Sequence, residues 1–131
     1  MILRRVALAL ILVLIFPLLA FADGQRVILV MDASGSMRGK INGQSKMAIA
    51  KEVVAKVVGT WKPEDELGLV VYGHRDKNSC EDIETVIEPG VLDSAAFINR
   101  VEALVPKGKT PMTQAVLQAA DALRYQENLQ L

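Results

Sequence analysis

The stretch Val27-Ile28-Leu29-Val30-Met31-Asp32-Ala33-Ser34-Gly35-Ser36-Met37 constrains the fold more than any other part of the chain. Its apolar run does not alternate, which reads as a strand buried on both faces, the pattern of a central parallel strand. The run ends in an acid, followed by two hydroxyls spaced around a glycine. In an open α/β sheet, ligands bind outside the carboxyl ends of the strands, so oxygen-bearing side chains at this point form a candidate site. Asp32, Ser34 and Ser36 can converge on one point across a tight turn, with Gly35 permitting backbone angles that a larger residue resists. A carboxylate with two neutral hydroxyls suits magnesium, with manganese or calcium as alternatives, because hard divalent cations take oxygen ligands. The competing reading is ordinary: Ser and Gly make turns, and Asp, Ser and Thr cap helices without binding anything.

The remainder of the chain supplies the partners of that strand. Lys46 to Trp61 carries Met47, Ala50, Val53, Val54, Val57, Val58 and Trp61 at helical spacing, which predicts a helix with one inward face. Lys62-Pro63-Glu64-Asp65 is a turn, and Leu67 to Tyr72 is a second buried strand followed by a polar loop from Gly73 to Asn78. Ile83 to Glu88 alternates and reads as an edge strand, closed by Pro89-Gly90. Asp93 is placed to cap a helix whose inner face is Phe97, Val101, Leu104 and Val105. Thr110 and Pro111 open a last helix with Met112, Ala115, Val116, Ala119, Ala120 and Leu123 inward. Thr110 thereby stands at another loop–helix junction and can deliver a further oxygen to the Asp32 site. The order predicts an α/β fold with an open, mostly parallel sheet and helices on both faces. No strand follows the last helix, so residues 23–131 are expected to be the amino-terminal portion of an incomplete domain.

Residues 1–22 combine a basic head, an apolar run from Val6 to Leu19 and a small-x-small end at Ala20-Phe21-Ala22, which predicts a signal peptide. Left uncleaved, the same segment is an anchor at the lower margin for spanning a bilayer, and a membrane contact arises only in that case. Either way the domain is expected to be extracytoplasmic. Without Arg4 and Arg5 the basic side chains are outnumbered by the acidic ones, so the mature surface has no general attraction for nucleic acid. Cys80 is the single cysteine and has no partner within the sequence.

With Asp32-Ala33-Ser34-Gly35-Ser36 on one side and Gly108-Lys109-Thr110-Pro111 on the other, the chain resembles the von Willebrand factor type A domain. That family has a metal-ion-dependent adhesion site beginning Asp-x-Ser-x-Ser. Tyr72-Gly73-His74-Arg75 and Cys80-Glu81-Asp82-Ile83-Glu84 are similar to its extracytoplasmic bacterial members, and the resemblance runs from about Gln25 to Tyr125. It implies a Rossmann-like sheet, a divalent cation held by Asp32, Ser34, Ser36 and Thr110, and a protein partner whose carboxylate completes the coordination. It also implies a further aspartate from the loop after the next central strand, which this chain does not reach, and a location there for a partner of Cys80. Other chemistries meet obstacles. A phosphate-binding loop needs glycine where Ala103 stands, and a nucleophile elbow needs glycine where Asp32 stands. His74 is the single histidine, so a hydrolase would have to pair it with Ser34 or Ser36. A third reading is a structural module in which a cation only stabilises loops. Glu81, Asp82 and Glu84 read as a solvated acidic patch.

Overall fold

The computed structural model describes residues 24–128. The signal-peptide reading of residues 1–22 lies outside them. The elements are β1 (Arg26–Asp32), a short 3-10 helix (Gly35–Arg38), β2 (Lys40–Ile41), β3 (Gln44–Ser45), α1 (Lys46–Gly59), β4 (Glu66–Tyr72), β5 (Ile83–Ile87), α2 (Ser94–Glu102) and α3 (Met112–Asn128). Strands β1, β4 and β5 form one sheet in that order. β1 and β4 run parallel in continuous register from Arg26↔Glu66 to Asp32↔Tyr72, and α1 is the crossover that a parallel pair requires. β5 pairs antiparallel with β4. The sheet is open and mixed, with helices on both faces as the strand and helix order predicts.

The doubly buried reading holds for β4, which is buried from Leu67 to Tyr72. β1, read from sequence as a central strand, stands at the edge of the described sheet and is half-buried except at Met31, though its side chains also go to both faces. Leu29, Met31, Leu67, Leu69 and Val71 pack into a core with Met47, Val54, Val58, Phe97 and Val101 of α1 and α2. Ile28, Val30, Val70 and Tyr72 point to the opposite face, where Ala115 and Ala119 of α3 cover them. The Ser45 hydroxyl caps α1 by accepting from the Ala48 N–H, and Asp93 caps α2 by accepting from the Ala96 N–H. No helix among the described residues is long and apolar enough to cross a membrane.

Several helix faces are narrower than their sequence patterns. Met47, Val54 and Val58 are buried, but Val53 and Val57 are exposed. At about 100° per residue these two valines lie roughly 100° and 60° away from the buried stripe. On α3, Pro111, Ala115 and Ala119 form the buried row, and the alanines let the helix sit close to Val70 and Tyr72. Met112 and Val116 stand one residue further round and are about half exposed. Val105 is exposed because α2 stops at Glu102, so helical spacing no longer fixes its direction. The segment read as a polar loop after Met37 contains the β2–β3 hairpin. Asn42 and Gly43 both take positive φ, 49° and 85°, as the two central positions of a type I′ turn require.

Buried and exposed apolar positions of the helices should separate in unfolding measurements. Phe97→Ala, at a position 1% exposed, is expected to cost about 3–5 kcal/mol in urea unfolding. Val53→Ser is expected to stay within about 0.5 kcal/mol of the parent.

Candidate functional site

Three loops meet at the carboxyl ends of β1 and β4. The first begins where β1 ends. Asp32 accepts through Oδ1 from the Ser34 N–H at 2.7 Å, which turns the chain out of the sheet. Ser34 stands at the cap position of the 3-10 helix, yet its side chain makes no cap bond. Its hydroxyl instead lies 3.1 Å from that of Ser36. Ser34 is buried, Asp32 is half-buried and Ser36 is exposed, so the oxygens run from the sheet edge out to solvent. Two oxygens at this spacing can occupy neighbouring positions on a small hard cation, whose octahedral ligands at about 2.0–2.1 Å are roughly 2.9 Å apart.

The second and third loops are tied to the first through the backbone. Lys107 donates to the carbonyls of both Ala33 and Gly73 at 3.1 Å, Gly108 donates to Gly73 at 2.8 Å, and Gly35 donates to Gly108 at 2.9 Å. Gly73 holds φ at +74°, and a Cβ there would come within 2.5 Å of the Lys109 carbonyl and 2.9 Å of the Ser34 Cα. A Cβ on Gly108 would collide with the Asp76 carbonyl. These two glycines make the junction; Gly35, read from sequence as the conformationally special one, has no positive φ and is hemmed in by Arg38 and the Lys107 carbonyl. Thr110 follows two residues after Gly108 and is exposed at the same end of the sheet. The structure thus joins Asp32, Ser34 and Ser36 directly and brings Thr110 to their neighbourhood through Gly108. Among the described residues no three His, Cys, Asp or Glu side chains are grouped to hold a metal.

Tyr72 stands beside Asp32 in the β1–β4 register. Burial first, then the Asp32 charge and a hydrogen bond to it, push the phenol up to about 12. Its place beside Asp32 was not apparent from the sequence, where Tyr72 ends the second buried strand and opens the Tyr72-Gly73-His74-Arg75 motif.

The acidic patch is solvated only in part: Glu81 is exposed and Glu84 half-buried, as a surface patch would be, but Asp82 is not. Asp82 is buried at 3% exposure and organises the loop after β4. Its carboxylate accepts from the N–H groups of Arg75 and Asp76 at 2.7 and 2.9 Å and from Arg75 Nε at 2.8 Å. Glu84 lies 2.8 Å from His74 Nε2 and 3.5 Å from an Arg75 guanidinium nitrogen. The other His74 nitrogen, Nδ1, is buried and has no hydrogen-bond partner. Neither ring nitrogen bonds to Ser34 or Ser36, and the two hydroxyls bond to each other, so the arrangement a serine hydrolase needs is not formed. Cys80 is free and exposed.

Residues 27–130 match the family described as von Willebrand factor type A domain. The chain is 30% identical over 100 residues to the uncharacterized protein YwmC of Bacillus subtilis (strain 168), covering 71% of this chain and 44% of that one. It is 27% identical over 107 residues to inter-alpha-trypsin inhibitor heavy chain H2 of Sus scrofa, covering 82% of this chain and 11% of that one. The chain therefore spans less than half the length of these curated relatives. In fold it is similar to the BatB protein of Bacteroides thetaiotaomicron, with a TM-score of 0.61 and 21% identity over 76% of this chain and 46% of that one.

Asp82 gives the loop a definite pH signature. Burial pushes its carboxyl up, but the Asp76 N–H and the guanidinium and N–H of Arg75 together outweigh burial and hold it below its ordinary value. A carboxyl lowered in the folded state contributes stability that is full above its unfolded value, about 3.9, and is lost as pH falls through the folded value. Asp82→Asn is expected to cost about 1–3 kcal/mol at neutral pH. The gap from the parent should narrow as urea unfolding is repeated below about pH 4.

Proposed function

The chain belongs to the von Willebrand factor type A domain family, whose domains generally mediate protein interactions, and we propose that it binds a protein partner through a divalent cation held at Asp32, Ser34, Ser36 and Thr110. Magnesium is the preferred ion, with manganese or calcium as substitutes. The observation that carries this reading is the pair of hydroxyls, Ser34 and Ser36, facing each other at 3.1 Å while the cap position beside them goes unused. Capping residues spend their oxygens on backbone N–H groups; these two do not. When bound, the cation supplies a concentrated positive charge with a coordination position open to a carboxylate of the partner.

The residues divide the work. Ser34, buried at the sheet edge, fixes the inner side of the site, and Ser36 and Thr110 hold the exposed side where a partner arrives. Asp32 provides the only matched carboxylate, and its Oδ1 is engaged by the Ser34 N–H. One carboxylate neutralises little of a divalent charge, which leaves more of it to attract an acid from outside. A purely loop-stabilising ion is less favoured, since Gly73, Lys107, Gly108 and Asp82 already tie the loops together through the chain itself. With residues 1–22 as an export signal, the module works outside the cytoplasm as a periplasmic or secreted binding domain.

Titration calorimetry of magnesium into the full chain is expected to show binding heat, with Ser34→Ala weakening it at least tenfold while the fold, read by circular dichroism, is kept. At about a hundred times the dissociation constant, magnesium should raise unfolding stability by about 2.7 kcal/mol. A folded chain that takes up none of magnesium, manganese or calcium would return Asp32, Ser34, Ser36 and Thr110 to turn and cap roles.

A further inference from the structure

Asp32 and Tyr72 are the last matched residues of the parallel pair β1 and β4. The Ala33 N–H donates to the Tyr72 carbonyl at 2.9 Å, so the pairing holds into the first residue of the loop. Residues paired across neighbouring strands point to one face of the sheet. Tyr72 points to the face of Ile28, Val30 and Val70, and Asp32 continues the alternation of Ile28 and Val30. Carboxylate and phenol therefore stand side by side on the face that α3 covers. The Tyr72 ring is 2% exposed and packs with Ala115 and Ala119 of α3. The Ala115 N–H donates to the Pro111 carbonyl at 3.0 Å, so the turn that covers the ring is the one that follows Thr110.

A buried phenol needs an acceptor for its O–H, and Tyr72 has Asp32. Burial first, then the Asp32 charge and this hydrogen bond, favour the neutral phenol, which is the form that donates. Asp32 thus receives two donors, the Ser34 N–H on Oδ1 at 2.7 Å and the phenol O–H. Neither donor can follow the carboxylate if it turns. The N–H belongs to a loop whose next residue, Gly35, is bonded to the Gly108 carbonyl, and the ring is enclosed beneath α3. Asp32 can turn both oxygens toward one ion only by giving up one of these hydrogen bonds.

We infer that Tyr72 sets the cation preference of the site, its hydroxyl acting with the Ser34 N–H to hold Asp32 for coordination through one oxygen. The inference rests on the reading that Asp32, Ser34, Ser36 and Thr110 hold a divalent cation. Magnesium demands a near-octahedral shell, whereas calcium takes a larger and more flexible one in which carboxylates serve through one oxygen or both. A carboxylate fixed to one oxygen fills a single octahedral position and withholds the second oxygen from the wider ion. Tyr72 touches no cation itself and is a positioning residue, acting through Asp32 as the outer partners of metal ligands do.

The test is titration calorimetry of magnesium alone and of calcium alone into the full chain, repeated with Tyr72→Phe, which removes one oxygen and keeps the ring. Magnesium affinity is expected to fall about tenfold, as loss of an outer partner of a ligand does. Calcium affinity is expected to change by less than about twofold, so the magnesium-to-calcium ratio falls as well. A ring that serves packing alone would leave both dissociation constants of the folded chain unchanged, whatever it did to unfolding. A second measurement needs no variant: the assigned Cζ signal of Tyr72 in the 13C-tyrosine-labelled parent should move as magnesium is added. An unchanged magnesium-to-calcium ratio in folded Tyr72→Phe, or a Tyr72 signal that stays still while magnesium binds, overturns the role of Tyr72 and leaves the cation reading in place. If the folded parent takes up no divalent cation, the cation reading fails and the role of Tyr72 falls with it.

Discussion

The parallel pairing of β1 with β4 is the constraint on which the rest depends. The strands run in continuous register, so Asp32 and Tyr72 end at one level and the loops that follow leave side by side. A parallel pair needs both faces covered, because its strands are apolar on both sides and its crossover must pass over one of them. Here α1 and α2 cover one face and α3 the other. The same packing that buries Leu69, Val70 and Val71 thus delivers a carboxylate, a phenol and two hydroxyls to one edge.

Glycine sets how closely those loops approach. Gly73 lies against Ser34 and the Lys109 carbonyl, and Gly108 against Asp76, at separations that leave no room for a Cβ. Backbone hydrogen bonds then fix Lys107 and Gly108 to Ala33 and Gly73. Asp82 performs the same service for the third side of the junction, holding the Arg75–Asp76 turn through a buried carboxylate that receives two N–H groups and a guanidinium. With the loops held by these means, Ser34 and Ser36 are released from structural duty. Their mutual contact and unused capping capacity follow from that division of labour.

Much of this was legible in the sequence wherever local chemistry and burial agree. The unbroken apolar runs of β1 and β4, the Asp93 cap of α2 and the Asp-x-Ser-x-Ser turn each carry their own signal over a few residues. The errors fall where the signal is spread around a helix or depends on a distant contact. Val53, Val57, Met112 and Val116 fit an inward face by spacing, but the width of a buried stripe depends on what packs against it. The Asn42-Gly43 hairpin was legible from its turn residues alone and passed for a loop because its strands are only two residues long.

The sequence by itself determined the α/β class, the order of the main strands and helices, and the oxygen-bearing turn at the end of β1, because periodicity, turn residues and strand-end position are local properties. Only the tertiary structure decided that Gly73 and Gly108, rather than Gly35, close the junction, and that Asp82 is a buried anchor rather than a surface charge. It also decided that His74 pairs with Glu84 and not with a serine. These are contacts between residues far apart along the chain or turned toward one another by a fold, and no spacing rule records which of two acids a parallel sheet will bury.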